Sequence, residues 1–317
     1  MPLHLDVLVG YVALDHGGAA AQDTLRQAQS ASFHALETGS EIAHYQARLH
    51  DGTKDSLAIL SGLRGALERR ELLLHYQPKV CLRTGVVNGV EALIRWHHRE
   101  RGLIGPGVFI ARAEQSTLIH ALTAFALEQA LCQAVQWQAM GIDMPVAVNI
   151  SSRNLAHPDF AKQILDTLAR CGAAPRLLEL EVTESALMTD VSRTIADLQV
   201  LKRQGIRIAI DDFGTGYSSL AYVQRLPVSH LKIDRSFVSG LLDDPDSLHI
   251  VETVVSLARK IGLETIAEGV EDAAVYQRLQ ALGCDMAQGF FIARPMPAEQ
   301  LPGWLEAFDM NSAPVAT

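Results

Sequence analysis

Basic runs are missing from this 317-residue sequence. Its 27 lysines and arginines are outnumbered by 36 acids, a formal net charge of −9. An acidic chain without clustered Lys/Arg lacks the electrostatic footprint of a DNA or RNA duplex binder. A small anionic ligand is not excluded, because bound cations invert the charge of an acidic pocket. Closely spaced cysteines are missing too. Cys81, Cys132, Cys171 and Cys284 lie far apart with no CxxC pair. That argues against a disulfide framework or a zinc ribbon, and for reduced thiols in a cytoplasmic protein. No apolar run approaches membrane-spanning length. The apolar opening, Leu5–Leu14, contains Asp6 and has neither a basic flank nor a small-residue cleavage site, so it reads as a strand rather than a signal peptide.

What remains is ordinary for a globular chain: 48% apolar and 20% charged residues, with length for one large domain or two. Residues 1–56 differ from the rest. Leu5–Leu14 is β-rich, Ala20–Gly39 has helical character, Ser40–Leu49 reads as a second strand, and the polar His50–Ser56 as a linker. Leu57–Arg70 is then a helical lead-in. Beyond it, short apolar runs alternate with amphipathic helices. The expected strands are Leu72–Pro78, Val86–Ile94, Val146–Ile150, Leu177–Val182, Arg207–Ile210, His230–Ile233, Glu264–Ala267 and Met286–Gln288. Helical stripes are formed by Phe160, Ile164, Leu168 and Cys171; by Val191, Ile195, Leu198 and Leu201, stopped by Gly205; and by Val251, Val254, Ala258 and Ile261, stopped by Gly262. Eight strands alternating with helices predict the α/β class and a TIM-type barrel, with an open doubly wound sheet as the alternative.

The predicted strand ends carry a series: Glu91, Asn149, Glu181, the pair Asp211-Asp212, Lys232, Glu268 and Gln288. Taken singly, each is better read as a polar group capping a helix or facing solvent. As a set they are harder to dismiss, because several directly follow buried apolar residues, where an uncompensated carboxylate is costly. Carboxylates plus one amide oxygen make a hard site suited to Mg²⁺ or Mn²⁺; zinc would recruit His or Cys. An adjacent Asp pair can bridge two ions, the arrangement used for in-line phosphoryl displacement. Lys232, the one cation in the series, is either a counter-ion or a group that orients water and stabilises phosphate charge.

Ordered motifs carry a resemblance: YQPKV (Tyr76–Val80), EALIRW (Glu91–Trp96), VNIS (Val148–Ser151), ELEVTES (Glu179–Ser185), DDFGTGYSSL (Asp211–Leu220), LKIDRSFV (Leu231–Val238), AEGVE (Ala267–Glu271) and AQGFFIARP (Ala287–Pro295). From about Leu57 to Phe308 the chain resembles the EAL domain family of bacterial cyclic di-GMP phosphodiesterases. The resemblance implies a modified TIM (β/α)8 barrel with an antiparallel first strand, and hydrolysis of cyclic di-GMP to linear pGpG. It implies Glu91, Asn149, Glu181 and Asp211 as ligands of a first metal ion, and Asp211 and Asp212 as ligands of a second. Glu268 resembles the general base, or a second-metal ligand, and Lys232 the lysine that contacts the catalytic water. Gln77, Leu93, Arg95 and Gln288 resemble substrate-holding residues. Glu184 is similar to the glutamate that anchors the loop after Asp212, and that loop, FGTGYSS, shapes the second metal site and a dimer contact in the family. A homodimer is therefore expected. Residues 1–56 resemble, more loosely, the C-terminal part of a GGDEF domain whose signature loop would lie upstream, which makes the chain read as the tail of a larger sensor; the alternative is a lead-in that packs beside the barrel. Residues 309–317 are expected to be a flexible tail.

The competing function is a catalytically silent cyclic di-GMP receptor. Such members usually lose catalytic residues, and none is missing here. An enolase-like barrel also sets acids at successive strand ends; the Asp pair, the glycine-rich loop and the lack of a second well-placed lysine argue against it.

Overall fold

The computed structural model describes residues 9–13, 24, 28, 31, 42–44, 59–99, 101–188, 191–215 and 223–308. The expected linker His50–Ser56, the tail 309–317 and the loop residues Gly216–Ser219 lie outside the described residues. The chain divides into two units, Met1–Arg69 with Gly107–Ala113, and Arg70–Pro106 with Glu114–Thr317.

In the first unit, β1 (Val9–Tyr11) pairs in parallel with β2 (Ile42–His44), Val9 opposite Ile42. Parallel strands need a crossover, and residues 24, 28 and 31, which lie between them, are helical. Residues 59–69 are helical as expected, burying Ile59, Leu63 and Ala66 at i, i+4 and i+7.

The second unit is a closed barrel. Its eight staves are β3 (Leu72–Cys81), β4 (Val87–His98), β6 (Val146–Ile150), β7 (Leu178–Thr183), β8 (Arg207–Phe213), β9 (His230–Ile233), β10 (Glu264–Ala267) and β11 (Met286–Ala287). They are hydrogen-bonded in that order, and β11 returns to β3. Closure removes the open-sheet alternative. From β4 to β11 all neighbours are parallel, whereas β3 is antiparallel to both β4 and β11. The reversal follows from local sequence: Arg83-Thr84-Gly85 closes a tight hairpin in which Gly85 N–H donates to Cys81 O and Cys81 N–H to Val86 O. Leu72 consequently lies opposite Trp96, at the end of β4 that faces the mouth shared by the parallel strands. Two short strands, β5 (Gly102–Ile104) on β4 and β12 (Met296–Pro297) on β3, extend the sheet outside the ring.

Five longer helices belong to this unit: α1 (Leu118–Ala139), α2 (Phe160–Cys171), α3 (Val191–Arg203), α4 (Pro245–Ile261) and α5 (Ala273–Leu282). The expected stripes pack inward through Phe160, Ile164 and Leu168, through Leu198 and Leu201, and through Val251, Val254 and Ala258, while the outer members Cys171, Val191, Ile195 and Ile261 are only part-buried. Gly205 (φ 97°) and Gly262 (φ 75°) stop α3 and α4 in the left-handed region open to glycine.

One expectation needs correcting. By length and composition α1 is long and apolar enough to cross a membrane. In the barrel unit one part of it is buried, through Ile119, Leu122, Leu127, Ala130, Leu131, Ala134 and Trp137, with Tyr76 of β3 edge-on to Trp137 at 4.7 Å.

Candidate active site

Helices cover the outside of the barrel, so the strands are buried on both faces. In β7 the apolar Leu178, Leu180 and Val182 alternate with Glu179 and Glu181, and all five are buried. The two acids turn inward. Lys79 Nζ lies 2.6 Å from Glu179 Oε1 and 2.6 Å from Glu181 Oε1, and Lys232 Nζ lies 2.8 Å from Glu181 Oε2. Lys232 also reaches Asp211 Oδ1 at 3.0 Å and Glu268 Oε1 at 2.5 Å. Burial works against the charge of Lys232, but Glu181, Glu268, Glu91 and Asp211 together raise its pKa well above the ordinary lysine value.

Glu91 is buried and accepts from Asn149 Nδ2 (2.7 Å) and Gln288 Nε2 (2.6 Å). It lies within β4 rather than at a strand end, because the antiparallel pairing with β3 and then β5 carries that strand on to His98. Along β4, Glu91, Leu93 and Arg95 alternate and so share a face. Leu93 lines the cleft described below. Arg95 does not; its Nη1 donates to the carbonyl of Ile94 at 2.9 Å.

Between Ile210 and Phe213 the pairing of β8 with β9 shifts register, and Asp212 sits at φ 53°. Such an irregularity re-aims side chains. Asp211, Asp212 and Glu268 each present an oxygen, all within 4.8 Å of one another. Glu184 N–H donates to Asp211 O (3.3 Å), and Glu184 Oε2 accepts from Gly214 N–H (3.4 Å), so this glutamate spans the strand end and the start of the following loop.

The carboxylates outnumber the lysines, and the electrostatics reflect it. Burial pushes Glu268 up to about 8, with Asp211, Glu91 and Glu181 adding to the rise and Lys232 opposing it. Asp212 is pushed up to about 6 by burial, Asp211 and Asp234. Glu91 is raised by burial and Glu181. Glu181 and Glu179 go the other way: burial would raise both, but Lys232 and Lys79 hold Glu181, and Lys79 and His230 hold Glu179, below the usual carboxylate range. Excess buried acid of this kind is relieved by divalent cations.

Above this floor opens a cavity of ≈ 260 Å³, lined by Gln77, Glu91, Leu93, Asp211, Lys232, Glu268 and Gln288, with Arg235, Glu271 and Phe290. Gln77 donates to Ala293 O (3.0 Å) and accepts from Gln288 Nε2 (3.0 Å). Gln288 Oε1 is buried without a hydrogen-bond partner among the described residues. The next residue fixes this arrangement. A Cβ on Gly289 would fall 2.0 Å from the carbonyl oxygen of Val270, a clash only glycine avoids.

Lys79, Glu179 and His230 are functional-site neighbours that the sequence reading missed. His230 Nδ1 lies 2.8 Å from Glu179 Oε2 and its Nε2 lies 3.1 Å from Glu264 Oε2. A ladder of charge thus runs Lys232–Glu181–Lys79–Glu179–His230–Glu264 through the barrel. Lys232 is not the one cation inside, which removes one reason given against an enolase-like barrel. The available signal was the spacing of Glu179 and Glu181: two acids on one face of an apolar strand require buried cations.

Polar side chains from β4, β6, β7 and β8 meet Glu268, just past β10, at one mouth of a closed β/α barrel, and among them Asp211, Asp212 and Glu268 form a group able to hold a metal ion. The EAL domain family model matches residues 61–295. The chain belongs to that family. It is 41% identical over 301 residues to the bifunctional diguanylate cyclase/cyclic di-GMP phosphodiesterase MucR of Pseudomonas aeruginosa, covering 94% of this chain and 44% of MucR. It is 36% identical over 307 residues to the cyclic di-GMP phosphodiesterase PA2567 of the same organism, covering 96% and 52%. The chain therefore spans about half the length of these curated relatives. A solved PaMucR phosphodiesterase in complex with c-di-GMP superposes with a TM-score of 0.75 at 47% identity, over 77% of this chain and 99% of that one.

Proposed function

We propose that this chain is a metal-dependent phosphodiesterase that hydrolyses cyclic di-GMP to linear pGpG. The observation that carries the reading is the meeting of Asp211, Asp212 and Glu268 around Lys232, beside Glu91, Asn149 and Glu181, at the mouth of an EAL barrel. The cyclic di-GMP specificity is supported by MucR and PA2567 and by the cleft formed by Gln77, Leu93 and Gln288.

The all-oxygen donor set fits Mg²⁺ or Mn²⁺, and the adjacent Asp211 and Asp212 suit two ions. Glu91, Asn149, Glu181 and Asp211 would hold the first, and Asp211 and Asp212 the second, with ligation by Glu268 there the alternative to its role as base. Bound there, the cations supply Lewis acidity, acidifying water and neutralising phosphate charge. The chain's own groups do the rest. Glu268, whose carboxyl lies 2.5 Å from Lys232 Nζ, takes the proton of the attacking water. Lys232 orients that water and offsets charge on the phosphate in the transition state. Gln77, Leu93, Gln288 and Arg95 hold the dinucleotide so that attack is in line. A guanidinium suits a phosphate because it can bind bidentately, and for Arg95 this means leaving the Ile94 carbonyl. Family members commonly pair through the loop after Asp212, and a homodimer in the cytoplasm is the working assembly. Residues 1–56 are proposed as the remnant of a GGDEF-like module.

The test is incubation of the purified chain with cyclic di-GMP and Mg²⁺ or Mn²⁺, with Ca²⁺ as control, and chromatographic identification of the product. Conversion to pGpG with Mg²⁺ or Mn²⁺ is expected. Tight binding of cyclic di-GMP with no pGpG under either ion would overturn the enzyme reading in favour of a receptor.

A further inference from the structure

Cys132 and Cys171 stand 39 positions apart in sequence, yet their sulfurs lie 2.9 Å apart. Neither belongs to the site described above. Cys132 lies in α1 and Cys171 is the last residue of α2. Both thiols are free and only part-buried, so small oxidants and reductants can reach them. Cys171 Sγ also points at the carbonyl of Glu128, one turn before Cys132 on α1, at 3.7 Å. A thiol is a weak donor and a weak acceptor, so a hydrogen bond between the two explains little of why they are held together. The segment between them contains all of β6, including Asn149, and the short helix Ser152–Leu155 that follows it.

We propose that Cys132 and Cys171 form a reversible disulfide clip between α1 and α2. The widely spaced cysteines of the sequence thus meet in space, and two of them form a modification site of the redox-responsive kind found in reducing compartments. With a peroxide as oxidant, one thiolate attacks a peroxide oxygen and breaks the O–O bond, giving a sulfenic acid and one water. The second sulfur then displaces a second water from the sulfenic acid and forms the S–S bond. Two electrons pass from the two sulfurs to the peroxide, and both thiol protons end in the two waters. A dithiol reverses the bond by exchange and is itself oxidised to its disulfide. Burial and the neighbouring Cys132 push the Cys171 thiol up to about 12, which disfavours its thiolate as the sulfur that attacks the peroxide first.

The experiment treats the full chain with hydrogen peroxide, blocks remaining thiols by alkylation and maps non-reduced proteolytic peptides by mass spectrometry. A cross-linked peptide joining Cys132 to Cys171, two hydrogens lighter than its parts, is expected. Closing a loop of this length should raise Tm by roughly 5–15 °C, and dithiothreitol should reverse both changes. Cys171→Ser should abolish the cross-link and the rise, while its reduced form melts with the reduced wild type. The proposal is overturned if both thiols still alkylate after oxidation, if either pairs with Cys81, Cys284 or a second chain instead, or if the cross-link forms without a rise in Tm.

Discussion

Replacing Lys79 by methionine deletes a buried charge while keeping a side chain of similar length. The Lys79 ammonium sits 2.6 Å from carboxylates of both Glu179 and Glu181, and the side chains of all three are no more than 5% exposed. Water cannot take over the solvation that the lysine provides. Removing one partner of a buried ion pair typically costs about 3–5 kcal/mol, because the remaining charge is left uncompensated. Glu181 retains Lys232 and Glu179 retains His230, which places the expected loss near the lower end, about 3 kcal/mol. For a domain of this size that corresponds to a fall in Tm of about 6–12 °C. The sharper assay is the double variant. Lys79→Met with Glu179→Gln removes one charge of each sign, so it should recover a large part of the loss, with a coupling of at least about 1 kcal/mol in a double-mutant cycle. Urea and thermal melts of the four proteins measure this. A Lys79→Met variant that melts within 2 °C of wild type, or a double variant whose loss equals the sum of the singles, refutes the account of the ladder.

Three other perturbations probe different parts of the barrel. Glu268→Gln should lower turnover of cyclic di-GMP by about 10²–10⁴-fold while leaving its binding largely intact; equal loss of both would show a structural role. His230 is raised to about 8 by its contacts with Glu179 and Glu264, against burial and Lys79, so its stabilisation is full below the unfolded value of about 6.5 and is lost as pH rises through about 8. That amounts to about 2 kcal/mol, and His230→Gln should flatten the fall in Tm between pH 6.5 and 9; an unchanged slope would assign it elsewhere. Gly289→Ala forces a methyl group to within 2.0 Å of Val270 O, so it should displace Gln288 and raise KM; wild-type kinetics would show that the segment yields without moving the amide.

Much of this barrel was legible because the chain alternates cleanly. Val146–Ile150, His230–Ile233 and Glu264–Ala267 form strands with the predicted bounds, each a short apolar run between polar turns. The strand around Glu91 was read too short, because its continuation to His98 depends on long-range pairing with β3 and β5, which no local pattern announces. Helix α1 escaped for the opposite reason: apolar residues are spread around it, so no single stripe stands out. The site acids were readable as a series at the ends of apolar runs. Lys79 was not, because its partners lie 100 and 102 positions away and only strand register brings them together. The pairing of Cys132 with Cys171 was hidden in the same way, since it requires two helices to be packed side by side.

The reversal of β3 also sets where the chain enters the barrel. In a barrel whose staves all run one way, the chain arrives at the end opposite the reactive mouth. Here Leu72 lies across from Trp96 at the working rim, so the polypeptide enters where the chemistry is. From Leu72 a single strand leads to Gln77, which is hydrogen-bonded to Gln288, and Gln288 holds Glu91. The first stave thus ties the entry of the chain to the floor of the cleft through the Gln77–Gln288–Glu91 hydrogen bonds.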